Sequence, residues 1–100
     1  VGSNLAELRQ KIDLIDSQII ELLAQRALCV QDATRFKKDA FQVAAPARQA
    51  QVFERVKSQA EAHLENFPNF PDIVETTYRT LVAGFIASEQ LLFQKTEIIK

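Results

Sequence analysis

One hundred residues, 47% of them hydrophobic and 25% charged, suffice for one compact domain with a small core. The formal net charge of -1 provides no broad basic field of the kind that nucleic acid or an anionic membrane calls for, so any cationic function has to be local. Cys29 is the single cysteine, which excludes an intrachain disulfide and a cysteine-built zinc site and suits a reducing, cytoplasmic setting; no apolar run reaches the length of a membrane span. An export signal removed before Val1-Gly2-Ser3 stays open as an alternative.

Glycine is nearly missing, proline is confined to positions 46, 68 and 71, and the β-branched residues recur at helical spacing, so the expected class is all-α, in one domain over residues 1–100. Asn4 followed by Glu7 has the form of a capping box and opens a first helix expected over residues 5 to about 38. Leu5, Leu8, Ile12, Ile15, Ile19 and Leu22 recur at alternating steps of three and four, and the next step falls on Arg26. A cation in an apolar slot is costly unless an anion meets it. Such a helix would be roughly 50 Å long, against a diameter of about 33 Å for a compact chain of this size. It cannot bury its seam within its own chain, and a homodimer with the first helices packed along each other follows.

Residues 41–45 read as a loop, and Pro46 suits the first turn of a second helix ending near residue 65, with Val52, Phe53, Val56, Ala60 and Leu64 as its apolar stripe. Residues 66–71 break any helix, and Asp72 with Glu75 forms a second capping box before a third helix from about Ile73. Its apolar pairs recur every four residues through Leu81/Val82 and Phe85/Ile86, which puts Glu89 next on that face. The expected architecture is three helices of unequal length in an intertwined homodimeric bundle.

Arg26 and Lys37 stand eleven residues apart, close to three turns, so on one helix both point the same way and can converge on a small anion. Arg9 lies about 25 Å from Arg26 along the helix and rotated by roughly 100°. It cannot reach the same ligand from its own chain, whereas antiparallel pairing would bring it to the Arg26/Lys37 site of a partner. Two composite sites per dimer result.

The series L-R, D-x-x-I, L-L-x-x-R and R-F-K at these intervals resembles the all-helical class of chorismate mutases over essentially the whole chain. Arg35-Phe36-Lys37 and the stretch from Val43 to Arg48 resemble more closely the isochorismate-pyruvate lyases within that superfamily. The resemblance implies a small dicarboxylate substrate, a homodimer with shared sites, and no metal or organic cofactor. It gives Arg9 of the partner subunit and Arg26 the two substrate carboxylates, and Lys37 the ether oxygen that becomes negative as the C–O bond breaks. Arg48 matches the arginine that opens the family's second helix, and Gln49 stands where many mutases carry a glutamate that accepts from the ring hydroxyl. The second donor to the ether oxygen is Glu89 by helical phase and Gln90 by a lyase-like match of letters; phase is preferred, because one residue turns a side chain by about 100°. A glutamate there must be protonated to donate.

The implied reaction is the rearrangement of chorismate to prephenate. The runner-up is cleavage of isochorismate to salicylate and pyruvate, and the non-enzymatic alternative is a helical dimerisation module. Each residue also has a plainer reading. Arg9 and Arg48 serve as solvated surface groups, Arg26 selects helix register by pairing with Asp16 or Glu21 of another chain, Lys37 and Lys38 form a cationic helix end, and Glu89 is a half-exposed carboxylate. Cys29 is expected as a small core residue, His63 as a partly exposed residue near a helix end, and the phenylalanines as core, with Phe67 and Phe70 anchoring a loop.

Overall fold

The computed structural model describes residues 4–63 and 65–99, with side chains described up to residue 95. It is all-α: α1 (Leu5–Thr34), α2 (Ala40–Ala44), α3 (Pro46–Glu61) and α4 (Phe70–Ile99). Among the described residues no helix is long and apolar enough to cross a membrane. Val1, Gly2, Ser3 and Leu64, each part of an expectation above, lie outside the described residues.

Asn4 caps α1 as expected, its side-chain oxygen accepting from Glu7 N at 2.9 Å. The helix does not run to residue 38. It ends at Thr34, where Arg35, Phe36 and Lys37 turn their N–H groups back to Asp32, Ala33 and Thr34, three residues behind each. Tightening of the last turn to i→i−3 bonds closes the helix. Asp39 then starts a new one, its carboxylate accepting from Gln42 N at 2.8 Å. Residues 41–45, expected as a loop, thus belong mostly to α2. A single left-handed residue, Ala45 (φ 43°, ψ 63°), separates α2 from α3, with its N–H donating to Phe41 O at 2.8 Å. Pro46 opens α3 as expected, since its missing N–H has no helical partner at that position.

α3 ends at Glu61, four residues short of the expected end. The third long helix starts at Phe70 rather than Ile73, and Asp72 is not its cap. Asn69, in left-handed backbone at φ 59°, precedes the helix and accepts from Ile73 N at 3.0 Å. Asn tolerates that region better than most residues, and Pro71 is accommodated in the first turn for the same reason as Pro46. Asp72 falls inside that turn, favourable with the helix dipole. Glu75 is engaged elsewhere: Lys57 of α3 bridges Asp72 and Glu75 at 3.5 and 3.3 Å, and Arg79 meets Glu75 at 2.9 Å while its guanidinium lies 4.5 Å above the Phe53 ring.

α3 and α4 form the main packed pair, around buried Val52, Val56 and Val82 with Phe53, Val74, Tyr78 and Ile86 against them. Ala60 and Val43 of α2 are also buried. The core is therefore built of valine and alanine rather than phenylalanine. Phe36, Phe41 and Phe67 are exposed, although Phe67 and Phe70 do form an edge-to-face pair with centroids 6.3 Å apart across the α3–α4 connection.

α1 lies beside α4 along its second half, from about Ile19 onwards. Leu5, Leu8, Ile12, Ile15, Ile19 and Leu22, the whole expected seam, are exposed in the single chain. The chain measures 62 × 25 × 15 Å with a radius of gyration of 17.4 Å, well above the ~13 Å of a compact domain of this length.

Candidate active site

The C-terminal third of α1, the turn after it, α2, α3 as far as Arg55 and the middle of α4 line a cavity of about 530 Å³, within the ~300–1,000 Å³ of small-molecule sites. Four cations line it: Arg26, Lys37, Arg48 and Arg55. One carboxylate, Glu89, faces them. Such a surplus of positive charge in a concave, partly apolar wall is built for a small polyanion.

Arg26 sits in the half of α1 that lies beside α4. Its guanidinium carbon lies 4.8 Å from the centre of the Phe85 ring, a cation–π contact that orients the group. Its Nη1 is buried with no hydrogen-bond partner among the described residues. A buried guanidinium nitrogen without an acceptor is destabilising on its own, and an acceptor placed in the cavity would satisfy it.

Lys37 reaches the cavity by a route the helical spacing did not foresee. It lies beyond the end of α1, three residues past Thr34, so it is neither in phase with Arg26 on one helix nor in the last turn of α1. Its ammonium is positioned instead by α2, donating to Gln42 O at 3.1 Å, while the Gln42 side chain accepts from Lys38 N at 2.6 Å. One of three ammonium donors is thereby committed and two are left for a ligand.

Arg48 and Gln49, in the first turn of α3, also line the cavity. Gln49 Nε2 donates to Ala44 O at 2.6 Å, which satisfies an end carbonyl of α2 and leaves the amide oxygen as the acceptor. Arg55, two turns further along α3, was not among the residues singled out from sequence, although its i, i+7 spacing from Arg48 was the available signal.

Glu89 is 8% exposed and lines the cavity from α4. Its Oε2 lies 3.0 Å from Thr34 Oγ1, the last residue of α1, also 8% exposed. Gln90, one position on, is half-buried and does not line the cavity. Arg9, exposed near the start of α1, is outside the cavity of its own chain. Cys29, expected in the core, is exposed in the single chain and forms part of the cavity wall, because α1 packs only weakly here. His63 is exposed in the turn after α3.

A family model for chorismate mutase type II matches residues 8–90, a span that contains every residue named in the cavity. The chain belongs to the chorismate mutase type II family. It is also similar to the chorismate mutase of Methanocaldococcus jannaschii, with 32% identity over 60 residues, 59% of this chain and 61% of that protein. The chain thus spans about three fifths of that curated relative. As a type II member it carries its cations on α1, the following turn and α3, and its buried carboxyl on α4.

Proposed function

We propose that this chain catalyses the rearrangement of chorismate to prephenate, as a cytoplasmic homodimer whose two sites each draw residues from both subunits. The observation that carries the reading is the cavity itself: four cations around one pocket, among them a guanidinium nitrogen buried without a partner. The family gives the reaction class, and the cavity supplies the chemistry it requires.

Chorismate presents two carboxylates and a breaking C–O bond, and its rearrangement needs neither a nucleophile nor an added proton. Catalysis then consists of holding the enolpyruvyl arm over the ring and stabilising charge on the ether oxygen. Arg26, fixed on Phe85, binds one carboxylate with paired N–H donors, and Arg48 with Arg55 adds positive potential at the α3 side. The second carboxylate is assigned to Arg9 of the partner subunit, for which the support is the exposed apolar seam of α1 and the length of that helix. Lys37 directs its free N–H donors at the ether oxygen, which is more negative in the transition state than in the substrate, so its charge lowers the barrier rather than only tightening binding. Glu89 in its protonated form is the second donor to that oxygen, and Gln49 Oε1 accepts from the ring hydroxyl.

Incubation of the purified chain with chorismate and, separately, isochorismate tests the reading. Prephenate from chorismate is expected. Salicylate with pyruvate from isochorismate, and no prephenate, would transfer the site to the lyase reaction; no product from either would leave a helical dimerisation module.

A further inference from the structure

Thr34 is the last residue of α1, and the sequence alone marked it for nothing. Its hydroxyl oxygen lies 2.9 Å from Val30 O and 3.0 Å from Glu89 Oε2. A hydroxyl carries one proton, so it can donate to only one of these acceptors at a time. The Val30 carbonyl stands inside α1, where it already accepts a helical N–H. Glu89 Oε2 has no other partner among the described residues, and at 8% exposure the carboxyl has little water to turn to. A hydroxyl proton directed to Oε2 is the arrangement that leaves Oε1 as the carboxyl oxygen able to carry the acid proton, as the mutase reading requires.

This has a consequence for the acid. With Oε2 accepting from Thr34, a proton on the carboxyl resides on Oε1. That oxygen makes no hydrogen bond among the described residues and is the one left for a ligand. We infer that Thr34 is a positioning residue for the proposed mutase reaction: its hydroxyl pins Glu89 Oε2 and so presents Oε1 of Glu89 to the substrate's ether oxygen. The inference rests on the mutase reading above and adds a residue from the far end of α1, 55 positions away in the chain. It also gives the early end of α1 a function, because helix, turn and acid meet at this one hydroxyl.

The test compares Thr34→Val, which keeps the shape and removes the hydroxyl, with Thr34→Ser, which restores the hydroxyl. Each is made in the wild-type and the Glu89→Ala background, with folding checked by far-ultraviolet circular dichroism. Thr34→Val is expected to lower kcat about tenfold or more with KM within about twofold, and Thr34→Ser to recover kcat to within about threefold. In the Glu89→Ala background Thr34→Val should change kcat by less than about twofold, because a residue that acts only through another has nothing left to act on. Should Thr34→Val not fold, Thr34→Ala is read on the same scale. A Thr34→Val enzyme with wild-type kcat, or a loss that persists in the Glu89→Ala background, overturns the inference while leaving the mutase reading in place. A crystal structure of Thr34→Val supplies the arm that needs no turnover: a Glu89 carboxyl that leaves its wild-type rotamer supports the inference, and an unmoved one overturns it. If the wild-type chain leaves chorismate unchanged, the mutase reading falls, and this arm alone still decides whether Thr34 holds the acid.

Discussion

Replacing Lys37 by alanine separates a catalytic ammonium from a decorative one. The structural cost of the change is small, because among the described residues the bond lost is the exposed contact from Nζ to Gln42 O at 3.1 Å, worth about 0.5 kcal/mol. In a domain of this size that corresponds to about 2–4 °C in Tm. The catalytic cost is of another order. A fixed donor aimed at an oxygen that gains charge in the transition state is worth about 2.7–4 kcal/mol, a factor of about 10²–10³ in kcat. Substrate affinity should suffer less, since Arg26, Arg48 and Arg55 still line the cavity and hold its positive potential. The assay follows the loss of chorismate absorbance over a range of concentrations, giving kcat and KM separately, beside a thermal melt. A fall in kcat of less than threefold refutes the assignment of Lys37 to the ether oxygen. So does a fall that appears wholly in KM, which would make Lys37 one more binding charge.

Arg9→Ala and Lys37→Ala proteins, each inactive alone, should regain part of the activity when mixed and allowed to exchange subunits, and full activity from a monomer in sedimentation equilibrium would contradict the shared site. Glu89→Gln, which keeps a neutral donor in the cavity wall, should retain kcat on chorismate while Gln90→Ala does little; inactivation by Gln90→Ala with Glu89→Ala harmless would make Gln90 the donor. In the ion cluster between α3 and α4, Arg79 and then Lys57 hold the Glu75 carboxyl below its usual range, while Glu75 and then Asp72 raise Lys57. The stability Glu75 contributes is present above the ordinary glutamate range and lost as pH falls through its depressed folded-state value, so thermal melts of Glu75→Gln should depend less on pH below about 4.5 than those of the wild type; parallel curves would remove the cluster from the acid response.

Much of this protein was legible because helical chemistry is local. The Asn4 cap, Pro46 at the head of α3 and the phase that turns Glu89 towards the same wall as Val82 and Phe85 all depend on residues within one or two turns of each other. Periodicity also exposed Arg26 as a cation out of place. The end of α1 was misread because nothing within one turn of Thr34 stops a helix; the stop comes from the competing cap at Asp39 and from a backbone that folds over to make α2. Lys37 consequently shares the cavity with Arg26 across a turn rather than along a helix. Arg55 and Thr34 escaped notice for a related reason. Their importance lies in which wall they face once α1, α3 and α4 have packed, and the bond from Thr34 to Glu89 joins two residues that no local pattern relates. Sequence determined the helices and the charges they carry, since each answers to its neighbours three and four residues away; only the packed tertiary structure decided which of those charges share a cavity, because that is set by contacts between residues far apart in the chain.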